Sequence, residues 1–483
     1  MVFNTWDYVV FFVVVYALYL SLPRYQWQNW LLLVASYYFY AAWDWRFAVL
    51  MLASTIVDYV VGLQMYRSSR PAARKALLLV SMVFSLSMLG VFKYYNFFLD
   101  SLTALLAHFD LAPQAMHLDI ILPFGISFYT FQTMSYTIDI YRGELIPTRN
   151  FRDFALFVAF FPHLVAGPIM RAADLIPQFT RPRSLNQPQF AIACWLIGWG
   201  LWKKIFVADN MALMANHVFS HSTSVTWLEA YLGVIAFAFQ IYCDFSAYSD
   251  IARGCAQLLG IQLVQNFNLP YFATNPSDFW RRWHISFSTW LRDYLYIPLG
   301  GNRYGTLLTY RNLLVTMVLG GLWHGASWNF IWWGTYHGCL LSGHRLLTRN
   351  RTERTQEPSR WGHFWSIVLM SQFTLFGWLL FRSTRKSLYQ GRTIDESFQQ
   401  IMEMLTSYQN GFGFNAASAA LFGNILFFSW ILLLVQWFQY RTKDPYCMLT
   451  WPLPVRACLY GVLAMTWMLW GIQSGATFIY FQF

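Results

Sequence analysis

Long apolar runs separated by short polar stretches set the pattern of this chain. They fall at about 8–22, 29–44, 47–66, 76–95, 120–141, 190–207, 226–243, 307–323, 326–343, 361–381, 417–438 and 456–473. The runs are continuous rather than alternating, which argues against a transmembrane β-barrel. Many approach the ~20 residues that a helix needs to cross a ~30 Å hydrocarbon layer. The pattern therefore predicts an all-α polytopic membrane protein with twelve spans, some of them short. The run at 8–22 follows no Lys or Arg and precedes no small-x-small site. It predicts a retained helix rather than a cleaved signal.

Two further runs resist assignment as plain spans. Residues 154–170 contain Pro162, His163, Gly167 and Pro168 between basic flanks, which predicts a re-entrant segment. Residues 245–260 carry Asp250 and Arg253, which predicts a face turned to protein or water rather than lipid.

Composition sharpens the class. Of 483 residues, 57% are hydrophobic, 20% aromatic and only 11% charged, against roughly 25% charged in an ordinary soluble domain. A cytosolic enzyme, a disordered chain and a coiled coil are excluded. The net charge of +11 sits in short loops, as at a membrane–cytoplasm boundary, and is no nucleic-acid signature. With the N-terminus outside, the positive-inside rule places Arg67, Arg70, Arg74 and Lys75 inside, with Arg142, Arg149, Arg152, Arg345, Arg349, Arg351 and Arg354. Segment 96–118, with Asp100 and Asp110, falls outside as a loop. Arg385, Lys386 and Arg392 also land outside, against the rule. Either the span count fails there or that loop is a folded region of its own. No linker or internal repeat divides the chain, so it is read as one membrane domain over 1–483 with a core at about 120–345. The polar stretch 349–360 reads as a solvated loop. The six cysteines show no disulfide or zinc spacing and read as small core residues.

Polar groups at membrane depth are costly, so each is a functional candidate. In 317–336 (MVLGGLWHGASWNFIWWGTY) two apolar runs meet at Gly320, Gly321, His324 and Gly325. Glycines on both sides permit a helix break, and an imidazole there can reach a cavity. A neutral imidazole can take a proton from a hydroxyl, the step that acylation of an alcohol needs. A histidine satisfied by a nearby carbonyl is the structural alternative. In 275–301 (NPSDFWRRWHISFSTWLRDYLYIPLGG) the spacing predicts one amphipathic helix at the membrane surface. Trp280, Trp283, Phe287, Trp290 and Tyr294 form its aromatic face. Arg281, His284, Ser288 and Arg292 form the other. Interfacial anchoring and docking of an anionic acyl donor by Arg281, Arg282 and Arg292, with His284 facing the catalytic cavity, are the two readings.

Weaker signals remain. Asp244 and Asp250, six residues apart, point to different sides of a helix and are expected to pair with Arg or accept hydrogen bonds. His217 and His221 have i, i+4 spacing without carboxylates nearby, so no metal site is expected. His337 reads as packed, and Lys203 and Lys204 as headgroup anchors at a span end. No Walker loop, dinucleotide fingerprint, serine-hydrolase elbow or zinc-protease motif occurs.

DFWRRWHISFSTWLRDYLYIPLGGNR (278–303) followed by GGLWHGASWNFIWWGTYHG (320–338) resembles the membrane-bound O-acyltransferase family, and within it the bacterial alginate O-acetyltransferase branch. LPFGISFYTFQTMSYTIDIYRG (122–143), FPHLVAGPIMR (161–171), DFSAYSD (244–250) and the C-terminal FIYFQF add support, and 345–470 resembles it least. Where this chain has His163, the resemblance implies Gln in many relatives. The resemblance implies 11–13 transmembrane helices in a ring around a thinned centre, with His324 as the catalytic histidine and His284 near the same tunnel. It implies acetyl-CoA as cytoplasmic donor and an extracytoplasmic polysaccharide acceptor. It further implies a periplasmic partner resembling SGNH hydrolases, and a bacterial inner-membrane location. Two alternatives stand beside this reading. One is an exporter of a lipid-linked sugar or polymer that performs no chemistry. The other is the same fold acting on a lipid, protein or teichoic acid.

Overall fold

The structure is a computed structural model that describes residues 2–111, 116–349, 359–389, 392–472 and 478–479. Most of the polar stretch 349–360, with Arg351 and Arg354, and the last four residues of FIYFQF lie outside the described residues. The regular structure is helical apart from one antiparallel hairpin, Lys386–Tyr389 with Arg392–Asp395.

Among the described residues, seven helices are long and apolar enough to cross a membrane: Trp45–Arg67, Pro71–Ala107, Gln187–Ser220, Trp227–Leu258, Arg360–Arg382, Ala416–Thr442 and Leu453–Trp470. The other five expected spans are helices too: Trp6–Ser21, Tyr25–Ala41, Ile126–Arg142, Thr306–His324 and Trp328–Thr348. Each is shorter or more polar than the seven. Two boundaries differ from the sequence reading. The expected external loop at 96–118 is helical as far as Ala107, because Pro71–Ala107 runs on through a π-helical turn at Gly90–Tyr94. Residues 226–243 and 245–260 belong to one 32-residue helix, mostly buried in protein, so Asp250 and Arg253 do not break it.

Chain contacts divide the protein into two compact units, 1–199 with 248–264 and 200–247 with 265–483. In the first, helices Trp45–Arg67, Pro71–Ala107 and Ile126–Arg142 pack side by side. The Asp44 carboxylate accepts from the Arg46 amide and starts the first of them, and Pro71 occupies the first turn of the second. Helix Phe151–Ala159 stops at Phe160, and residues 153–170 are buried throughout. Irregular buried backbone needs partners for its amides and carbonyls. Ser36 Oγ accepts from the Phe161 amide at 3.1 Å, and Gln132 Nε2 donates to the Phe157 carbonyl at 2.6 Å. Gln132 Oε1 in turn meets His163 Nε2 at 3.2 Å.

In the second unit Thr306–His324 and Trp328–Thr348 form a tight antiparallel pair. A Cβ on Gly321 would stand 2.1 Å from the Phe330 carbonyl oxygen, and one on Gly334 would stand 2.3 Å from the Met317 carbonyl oxygen. Backbones approach this closely only where side chains are missing. The basic loop that broke the charge rule is a folded region. Arg385 Nη1 and Nη2 hold the two oxygens of Glu403 at 2.7 and 2.8 Å, and Arg385 Nε holds Glu396 at 3.0 Å. This planar two-point grip fixes the hairpin against helix Ser397–Leu405.

Candidate active site

Helix Thr306–His324 ends at its own histidine, because Gly325 and Ser327 are extended before the next helix starts at Trp328. The break expected at the glycines is therefore present, and it leaves the His324 side chain at a helix terminus, 4% exposed. Phe287, Trp323, Trp333 and Phe381 surround the imidazole with ring centroids 5.1–5.4 Å away. The turn beside it is pinned from 68 residues away. Ser327 Oγ donates to Asp395 Oδ2 at 2.7 Å, and the Trp328 amide approaches the same oxygen at 3.3 Å. Asp395 Oδ1 accepts from the Ser397 amide at 3.0 Å. One carboxylate thus caps two helix starts. Asn329 Nδ2 donates to the Phe381 carbonyl at 2.9 Å and ties the same turn to the end of helix Arg360–Arg382.

The second histidine corrects the expectation for 275–301. That segment is not one helix. Pro276–Arg282 ends, His284 turns left-handed at φ 44° and ψ 53°, and Ile285–Leu291 begins. Such a conformation costs a non-glycine residue about 1–2 kcal/mol, so neighbouring contacts must hold it. Asn266 supplies them: its carbonyl accepts from the Ile285 amide at 2.9 Å, and its side-chain oxygen accepts from Ser286 Oγ at 2.8 Å and the Ser286 amide at 3.2 Å. The turn carries the His284 ring into the interior, 1% exposed, against Phe245 at 4.6 Å and Phe287 at 4.9 Å. The His284 and His324 ring centroids lie 6.3 Å apart, with planes at 62°. Burial pushes the His284 imidazole down to about 3, so it is neutral at physiological pH.

The aromatic face also differs from an interfacial anchor. Trp280, Trp283, Phe287 and Trp290 are all buried within the protein. Periodicity placed them on one face correctly, but that face meets Trp333, Trp378 and His337 instead of lipid. Of the three arginines, Arg281 and Arg292 are exposed and Arg282 is half-buried. Arg282 Nε pairs with Asp278 at 2.8 Å, and Arg292 Nε with Asp293 at 2.7 Å.

Lys203 and Lys204 are not headgroup anchors. They lie in a π-helical turn within helix Gln187–Ser220 and are 2% and 1% exposed. Lys204 Nζ stands 2.7 Å from Asp244 and 2.9 Å from Asp209, and Lys203 Nζ donates to Ser246 Oγ at 2.7 Å. Asp244 also accepts from the Ile479 amide, and the Lys204 ammonium lies 4.6 Å from the centre of the Phe478 ring. The described end of the chain is therefore held by the cluster that contains Asp244. Asp250, on the same helix, pairs with Arg253 at 3.6 Å. His337 is buried against Trp333 at 4.8 Å and Trp280 at 5.2 Å, as packing implied. The His217 and His221 rings lie 4.7 Å apart, tilted at 43°, on an exposed helix end. Among the described residues no group of three or more His, Cys, Asp or Glu side chains comes together to hold a metal. Cys243, Cys255 and Cys447 are buried, whereas Cys194, Cys339 and Cys458 face outward.

The sequence reading missed Asn266, Asp395 and the Lys204 cluster. DFSAYSD had drawn attention to Asp244, but its partners lie 35 or more positions away in the chain.

The protein is a polytopic helical membrane protein whose interior brings His284 and His324 within 6.3 Å of each other among aromatic rings. The sequence profile of the MBOAT, membrane-bound O-acyltransferase, family matches residues 142–383. The "Probable alginate O-acetylase AlgI" of Azotobacter vinelandii is 47% identical over 366 residues, 76% of this chain and 71% of that protein. Its Pseudomonas aeruginosa counterpart is 45% identical over 386 residues, 79% of this chain and 72% of that protein. The "Peptidoglycan O-acetyltransferase" of Helicobacter pylori is 39% identical over 344 residues, 66% of this chain and 64% of that protein. The chain belongs to the membrane-bound O-acyltransferase family. It is a multi-pass membrane acyltransferase, and the reading of an exporter without chemistry falls away.

Proposed function

We propose that this protein moves acetyl groups from acetyl-CoA, on the cytoplasmic side of a bacterial inner membrane, toward an extracytoplasmic polysaccharide. The observation that carries the reading is His324 at a helix break beside His284, in a chain 45–47% identical to alginate O-acetylases. His324 acts as general base. Its neutral imidazole takes the proton of an acceptor hydroxyl as that oxygen attacks the thioester carbonyl carbon. The C–S bond then breaks, and the coenzyme thiolate recovers the proton from the imidazolium. General-base assistance of this kind contributes ~10²- to 10⁴-fold. His284, neutral and one ring layer away, lines the same aromatic interior and orients the reacting groups. Arg281, Arg282 and Arg292 form the docking face for the anionic donor, with Arg281 and Arg292 exposed.

The acceptor is alginate or a chemically similar glycan, reached through a periplasmic partner of the SGNH-hydrolase type, and the N-terminus faces the periplasm. The test is His324→Ala in a host lacking the native gene. The variant should insert at normal levels, leave the polymer unacetylated, and release no coenzyme A from labelled acetyl-CoA in purified form. Normal polymer acetylation in that variant would remove His324 from the mechanism.

A further inference from the structure

Helix Arg360–Arg382 has two unlike faces. Met370, Thr374, Trp378 and Phe381 are buried and seat it on the aromatic interior of the second unit. Trp365, Leu369, Gln372 and Phe376 are all exposed. Their spacing of four, three and four is the a/d alternation by which one helix packs against another. Gln372 is the polar member of this stripe. At 1.5 Å per residue it lies about 18 Å from Arg360 and about 15 Å from Arg382, near the middle of a span. Its side-chain oxygen accepts from the Tyr231 hydroxyl at 2.9 Å, and its amide nitrogen has no hydrogen-bond partner among the described residues. Beside it a cavity of about 180 Å³ opens between this helix, the start of Trp227–Leu258 and the end of Ser397–Leu405. Apart from the Tyr231–Gln372 pair its walls are apolar, with Trp227, Val234, Phe376 and Leu379 among them.

Lipid chains can cover the aromatic side chains of this face, but they offer the amide nothing to bond. A carboxamide is both donor and acceptor, so a second carboxamide satisfies it. We propose that this face is the contact between two copies of the chain, with Gln372 of one protomer bonded to Gln372 of the other. Two copies inserted in one membrane point the same way, so the two-fold axis that relates them runs along the membrane normal. A residue at that axis meets its own counterpart at the same depth. One polar pair in an otherwise apolar a/d seam fixes the register and the pairing of two helices. Phe373, exposed next to Gln372, supplies the ring that the cavity of the opposite protomer receives. The stripe faces away from Trp378 and Phe381, which pack against Trp283 and His324. The contact therefore leaves the candidate active site unoccupied by the second copy.

The test is single-molecule photobleaching of the singly labelled full-length protein in phospholipid bilayers over a range of protein-to-lipid ratios. The wild type should bleach in two steps, in a fraction that rises with density toward saturation. Gln372→Leu, which keeps the seam apolar, should raise the dissociation constant about tenfold while inserting normally. Gln372→Asn, which restores a self-complementary amide, should recover part of that loss. Leu369→Cys, oxidised in the membrane with copper phenanthroline, should yield a dimer joined through position 369, identified by mass spectrometry. Leu434→Cys, exposed on helix Ala416–Thr442, should yield none through its own position. A wild-type monomer at every ratio, its face left to lipid or to another protein, overturns the proposal. So does a dimer of equal strength in Gln372→Leu, which would rest on a different surface.

Discussion

Ser327, three residues after His324, donates a 2.7 Å hydrogen bond to Asp395, a residue in the folded region between two long helices. Through this contact a loop outside the long spans fixes the turn on which the His324 imidazole is mounted. Removing a helix cap costs about 0.5–2 kcal/mol, and a 1 Å shift of a reacting group can cost about 10²-fold in rate. Asp395→Ala should therefore lower the melting temperature by a few degrees and turnover by about ten- to a hundredfold. Ser327→Ala should show a smaller effect of the same kind, since the Trp328 amide still approaches Asp395. Wild-type turnover in Asp395→Ala would show that the loop does not position His324.

Gly321 and Gly343 sit in the same helix pair but in opposite circumstances. A Cβ at Gly321 would lie 2.1 Å from a backbone carbonyl and 3.1 Å from Gly334, whereas nothing lies within 4 Å of one at Gly343. Gly321→Ala should force the helices apart and destabilise the protein by about 1–3 kcal/mol. Gly343→Ala should be neutral or stabilise by up to about 1 kcal/mol. Melting curves of the two variants in one detergent provide the comparison, and equal effects would contradict the packing described.

Acid should destabilise the protein in two stages. Burial holds the His284 imidazole at about 3, below its ordinary 6.5. Between those values the unfolded chain binds a proton that the native state does not, so stability falls as pH drops from about 6.5. Glu403 is held below the usual carboxylate range by Arg385. Its contribution is present above the ordinary glutamate value and is lost as pH falls further. His284→Asn, which tolerates the left-handed backbone, should shrink the first stage, to which other buried histidines also contribute, and leave the second. An unchanged first stage in that variant, followed by thermal unfolding between pH 7 and pH 4, would assign it to another group.

Lys204 stands between Asp209 and Asp244 in a dry setting. Lys204→Met would leave two buried carboxylates close together without their cation, at a cost of about 3–5 kcal/mol. Asp244→Ala should in addition free the Ile479 amide, which hydrogen exchange would record as lost protection at that position. Protection equal to wild type would mean that other contacts hold the chain end.

The helical, membrane-embedded character of this protein was legible in the chain because hydropathy and periodicity are local quantities. The break at His324 was legible for the same reason, since glycine and a titratable group interrupt an apolar run within a few residues. The specific motifs at 278–303 and 320–338 likewise pointed to the acyltransferase family. Other features depended on partners that no local window contains. The helical spacing of 280–294 predicted a continuous surface helix, but Asn266 stabilises a left-handed turn at His284 that local propensity opposes. The lysines at 203 and 204 looked like the polar end of a span, and carboxylates at 209 and 244 made their burial possible. The turn at Ser327 read as a simple break until Asp395 was brought to it. Tertiary structure decided these points because the energy of a buried charge or a strained backbone is set by the groups that surround it, and here those groups come from distant parts of the sequence.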